Sequence, residues 1–169
     1  MSPAVQDCAL SEDKGGFMKT PASIKGHPLH PMLIPFPLGL WIFSWIADLI
    51  WLSGWGSQLW QEIAFYTLGG GLVGAFLAAI PGFMDYFSLT DPHVKKIGTR
   101  HLTVNLIMIM ICVINVWMRT DGFSYEGAFA LSTLNIMLLG LSGWLGGELV
   151  YKHGVAVDTP PVLRTTGKR

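Results

Sequence analysis

The sequence predicts an all-α fold, an integral membrane four-helix bundle with both termini on the cytoplasmic side. Three observations carry this. Only 13% of the 169 residues are charged, against roughly a quarter in ordinary soluble domains. The apolar residues gather into four blocks, each near the roughly 20 residues that cross a bilayer core. Lysine and arginine fall almost wholly on one side of those blocks. The 11 basic and 11 acidic residues cancel, so no net field invites nucleic acid. The length suits one domain. Cys8 and Cys112 give no disulfide framework.

The expected organisation is a tail over 1–30 with a His-Pro lead-in, a four-helix domain over 31–151, and a second tail over 152–169. The spans are expected near 31–55, 62–86, 101–119 and 127–151. The first thirty residues are polar and lack the apolar centre of a signal peptide. The first span therefore reads as an uncleaved insertion signal.

The first span opens with "GHPLHPMLIPFPLGLW". Pro31 suits a first helical turn, and a residue before proline is pushed toward extended geometry. His27 and His30 are thus held in a bent lead-in. Pro35 and Pro37 free backbone carbonyls that neighbouring helices must accommodate. The second span, "LGGGLVGAFLAAIPGF", repeats the small-xxx-small spacing of close helix packing. A second reading, behind close packing, is that Gly74, Ala78 and Gly82 make a bare wall for a flat ligand. The third span carries no charge from Leu102 to Met118. The fourth ends at "YKHG", where Gly154 reads as a C-cap.

Ten of the eleven basic residues lie on the side of the termini; Arg119 is the exception. Lys/Arg-rich loops stay cytoplasmic. All five histidines fall on that side: His27, His30, His101, His153, and His93 in the loop before the third span. Asp85 ends the second span at the same level.

Helical spacing gives each span one polar or small stripe. The stripes are Pro37, Trp41, Ser44 and Asp48; Gly71, Gly74, Ala78, Gly82 and Asp85; His101, Asn105, Met108, Cys112 and Asn115; and Asn135, Ser142, Gly146 and His153. In lipid such stripes face inward. For the asparagines and serines, packing is the plainer reading. Asp48 is costly without a partner; Arg119 is the basic candidate, and a protonated carboxyl is the alternative.

"GHPLHPMLIPFPLGLW", "GTRHLTVNL" and "GGELVYKHGV" together resemble a bacterial family of small four-helix membrane domains of unknown function, the DUF2231 type. The resemblance covers roughly Ile24 to Val157. Members resemble this chain with a Rieske iron–sulfur or c-type cytochrome domain fused on, which implies electron transfer by association. Many carry a further histidine where this chain has Pro35.

Histidines from different helices suit haem iron, copper or zinc. The leading expectation is a redox-associated protein of the bacterial inner membrane, holding haem b or a transition metal near the cytoplasmic surface. The candidate cofactor residues are His30, His101, His153 and His27, with Gly74 and Gly82 as the wall. The candidate metal ligands are His30, His101, His153 and Asp85. His93 ranks last, since Lys95 and Lys96 favour solvent. The expected partners are the lipid bilayer and a separate redox protein, with a homo-oligomer left open. The competing reading is a structural, assembly or carrier protein with no cofactor. A stand-alone enzyme is disfavoured: there is no HExxH and no dense carboxylate cluster.

Overall fold

The computed structural model describes residues 21–122 and 124–157. Cys8, Lys14, Lys19, Arg164, Lys168 and Arg169 lie outside the described residues. Four helical spans are long and apolar enough to cross a membrane: Leu29–Leu52, Leu59–Ser88, Pro92–Thr120 and Tyr125–Lys152.

The first span is two helices, α1 (Leu29–Leu33) and α2 (Pro35–Leu52). Pro35 and Pro37 have no N–H to return to the carbonyls one turn back, so the helix breaks where they enter. The His-Pro lead-in is more ordered than expected. Strands β1 (Ser23–Ile24) and β2 (His27–Pro28) pair antiparallel through a turn at Lys25 and Gly26, whose φ values are 50° and 82°. The all-α fold thus carries one small hairpin. It folds back on the bundle: Leu29 N donates to Ala22 O, and Ala22 is buried.

α3 (Leu59–Ser88) and α4 (Pro92–Thr120) are both longer than expected. Asp91 caps α4, accepting from His93 N at 2.7 Å and Val94 N at 3.1 Å. Pro92 takes the first helical position, where a missing N–H costs nothing. His93 therefore sits in the first turn of α4 and not in a loop.

α5 (Tyr125–Gly147) passes into a π-turn, Glu148–Lys152. The turn ends at Gly154, which takes a φ of 64°, the left-handed cap geometry. Val155 N then closes onto Leu149 O at 3.0 Å.

Trp41, Leu68, Ala75, Met108, Ile109 and Cys112 form the central core. A second cluster of Leu89, Val94, Ile97 and Leu149 lies at the histidine end, with Tyr86, Leu145 and Val155 against it. Large apolar side chains such as Phe76, Ile80, Phe87, Met137 and Trp144 point outward. That inversion fits a bundle whose surface meets lipid tails.

Candidate functional site: a cavity between two imidazoles

The inner stripes meet as two polar clusters, one at each end of the bundle. The histidine end holds a cavity of about 320 Å³. His30 from α1 and His101 from α4 both line it, as do Asp85, Trp41 and Asn105. The two imidazole centres are 6.5 Å apart, with their planes at 85°.

Each ring is fixed at one nitrogen. His30 Nδ1 lies 2.8 Å from Ala78 O, and His101 Nδ1 lies 3.0 Å from Ser142 O. A carbonyl only accepts, so this geometry places the proton on Nδ1 and leaves Nε2 with its lone pair. Asn105 Nδ2 reaches His101 Nε2 at 3.2 Å. The same amide has shorter 2.8 Å contacts to His101 O and Ser142 Oγ. Its two protons go to those acceptors, so His101 Nε2 has no dedicated donor.

Glycines make room for both rings. A Cβ at Gly82 would stand 2.8 Å from His30 Nδ1, and one at Gly146 would stand 3.2 Å from His101 Cε1. Gly82 therefore seats an imidazole, and it is not a bare wall. Gly74 lies outside the cavity lining; its Cβ would meet Pro37 Cδ at 3.2 Å. At that level α2 fills the space a flat ligand was expected to use.

Two buried polar atoms at this end lack partners among the described residues: Asp85 Oδ1 and Trp41 Nε1. Asp85 is 8% exposed and Trp41 5%, so water does not readily satisfy either. In a native interior such atoms are few and call for an explanation.

The expected trio of His30, His101 and His153 does not assemble. His153 packs against His93, with ring centres 5.6 Å apart. The π-turn is the reason. Counting in threes and fours from Gly146 assumes an α-helical period, and the wider turn at Glu148–Lys152 shifts the phase before His153. His27 stays exposed on β2. Among the described residues, no three His, Cys, Asp or Glu side chains gather as a metal-ligand set. Asp91 lies beside the His93–His153 pair. The N–H groups of Val94 and His93 hold its carboxyl below the ordinary range.

The opposite end is built differently. Arg119 Nη1 and Nη2 reach Asp48 Oδ1 and Oδ2 at 3.0 and 2.6 Å. Arg119 Nε donates to Asn115 Oδ1 at 2.9 Å. Tyr125 Oη donates to Asp48 Oδ1 at 2.6 Å, and Asn115 Nδ2 donates to Ser132 Oγ at 2.9 Å. The Asp48–Arg119 pair anticipated from the sequence forms with fork-to-fork geometry. Tyr125 and Ser132 were not foreseen in it. Ser132 was findable, three residues before Asn135 on the same face of α5.

Fold and site together define an integral membrane four-helix bundle with a histidine-lined cavity at one end. The chain belongs to the family described as predicted membrane protein DUF2231, whose model matches residues 26–159. No curated protein and no solved structure matches it.

Proposed function

We propose that this chain is a redox-associated membrane protein that binds haem b or a transition-metal ion between His30 and His101. The carrying observation is the pair of imidazoles, each held at Nδ1 by a backbone carbonyl. Metal-ligating histidines are oriented in this way, the other ring nitrogen carrying the bond to the metal. The ring centres are 6.5 Å apart, a separation at which a nitrogen of each ring would be able to hold one ion at the roughly 2.0 Å of a metal–imidazole bond. Asp85 also lines the cavity, beside both imidazoles. The volume lies within the range of small-ligand pockets, about 300 to 1,000 Å³.

The residues have separable roles. His30 and His101 supply Nε2 lone pairs from different helices. Ala78 O and Ser142 O fix the tautomers and ring planes. Gly82 and Gly146 admit the rings against α3 and α5. When bound, such a group supplies one-electron chemistry. The basic bias supports a cytoplasmic placement of this end in a bacterial inner membrane, and a separate redox protein would then be the exchange partner.

The test is the Soret absorbance and metal content of protein purified from haem- and metal-replete cells. Wild type carries one of the two. His101→Ala and His30→Ala lose it, and His93→Ala keeps it. Colourless, metal-free wild type favours the structural or carrier reading.

A further inference from the structure

The end of the bundle opposite the imidazoles holds a second cavity, of about 480 Å³. It lies where the starts of α3 and α5 meet the end of α4. Arg119 lines it, with a side chain only 5% exposed. A guanidinium carries five N–H groups. Four are directed: Nε to Asn115 Oδ1, one Nη1 proton to Asp48 Oδ1, and the two Nη2 protons to Asp48 Oδ2 and Ser132 Oγ. The second Nη1 proton has no acceptor among the described residues. An N–H so deeply placed calls for one. Gln58 and Gln61 line the same cavity from the start of α3, and neither amide has a side-chain partner among the described residues. Phe65 and Tyr66 add aromatic walls, their ring centres 5.5 Å apart and their planes at 68°. Tyr66 is 71% exposed, so the aromatic wall continues onto the surface that meets lipid.

We infer that this second cavity binds a neutral, lipid-soluble ring carbonyl of the quinone class, whose oxygen accepts the spare N–H of Arg119. Charge narrows the choice. An anion meets the Glu62 carboxylate in the lining and a guanidinium already neutralised by Asp48. A cation has no lone pair to offer the N–H. A neutral carbonyl offers one and meets no charge of its own sign. The faces of Phe65, Tyr66 and Tyr125 suit a flat ring, and the volume lies within the range of small-ligand pockets. The two cavities share no lining residue, so the outcome here is independent of the imidazole site.

The experiment is equilibrium binding to the full chain in lipid vesicles. The probe is a benzoquinone with a short alkyl tail, and the amount retained is compared with that in protein-free vesicles of the same lipid. Wild type shows saturable retention, and an alkylbenzene with the same tail but no carbonyl shows none beyond its partition into lipid. Gln61→Phe, which fills the cavity, weakens binding about tenfold or more, the equivalent of one hydrogen bond to a charged group. Arg119→Lys, which loses the planar fork, weakens it as much. Asp121→Asn binds like wild type; Asp121 is exposed and does not line the cavity. Thermal unfolding confirms that each variant is folded, and Gln61→Phe carries the test if Arg119→Lys is not. Equal retention of quinone and alkylbenzene, or wild-type affinity in folded Gln61→Phe, overturns the site. Saturable binding of trimethylanilinium in place of quinone overturns the neutral acceptor and gives the cavity to a cation at Glu62. Quinone that binds only in ether-linked lipids, which lack ester carbonyls, overturns the ring and gives the cavity to a lipid ester.

Discussion

The two ends of the bundle hold the same kind of material, buried polar side chains inside a membrane domain, and treat it in opposite ways. At the Asp48 end the carboxylate receives both prongs of Arg119 and the hydroxyl of Tyr125. Arg119 in turn reaches Asn115 and Ser132. At the His30 end each imidazole is fixed at Nδ1 by a carbonyl, His101 Nε2 lies 3.2 Å from Asn105 Nδ2, and Asp85 Oδ1 and Trp41 Nε1 have no partner among the described residues. The first pattern staples helices together. The second ties each imidazole to one carbonyl beside a cavity. Residue type alone does not separate the two patterns; which partners each side chain finds does.

The largest test of that contrast is to remove one member of the staple. Arg119→Ala leaves Asp48 buried, 0% exposed at its side chain, without its countercharge. Breaking a buried pair in this way costs about 3 to 5 kcal/mol. Asp48→Ala has a comparable cost, and the double variant is much less damaging than the sum of the two. Thermal or denaturant unfolding in detergent measures all three. Additive losses would mean the residues act separately and the staple is misread.

Next in size is Gly71→Ala. The added Cβ would stand 2.5 Å from Trp41 Cδ1 and 2.6 Å from its Nε1. The indole then has to move, an overpacking cost of about 1 to 3 kcal/mol. Trp41 also lines the cavity, so bound ligand is expected to fall along with Tm. Gly74→Leu and Gly70→Leu give a weaker contrast, because added Cβ atoms at both meet α2, at 3.2 and 3.4 Å. Unchanged stability and occupancy in Gly71→Ala would show that the core around Trp41 is looser than its burial implies.

The site variants separate the ends most clearly. His101→Ala removes the bond to Ser142 O and is expected to cost about 1 kcal/mol and, on the proposed function, to abolish cofactor binding. Arg119→Ala does the reverse, lowering Tm steeply while the folded fraction stays loaded. Tm and Soret absorbance measured on the same samples show whether the two properties come apart. If they fall together in both variants, the ends are one cooperative unit and the division into staple and site fails.

Much of this arrangement was legible in the sequence. Pro37, Trp41, Ser44 and Asp48 are all buried, as a helical period requires. His101, Asn105, Met108, Cys112 and Asn115 share one inward face of α4. The cost of an ionised group in lipid was enough to pair Asp48 with Arg119. The start of α4 is legible only in part: "DPH" carries an N-cap and a proline at the first helical position, whereas the apolar block begins only at Leu102. Two features were not legible. A π-turn has no simple periodic signature, so His153 was placed on the wrong face. The filling of Gly82 by His30 depends on how α1 crosses α3, a non-local fact that spacing along one helix does not contain.

The smallest expected effect sharpens the boundary of the histidine end. Asp91 caps α4 beside His93 and His153 but does not line the cavity. Asp91→Ala should lower Tm slightly and leave ligand occupancy unchanged. The effect has a pH signature. Asp91 is held below the ordinary carboxylate range by the Val94 and His93 N–H groups. A carboxyl depressed in the folded state stabilises above its unfolded value and loses that contribution as pH falls through its folded value. The Tm curves of wild type and Asp91→Ala should therefore be separate near neutral pH and merge on acidification. Merging with unchanged Soret absorbance confines the site to the His30–His101 chamber. Loss of ligand in Asp91→Ala would instead extend the site to the start of α4 and bring the His93–His153 pair into it.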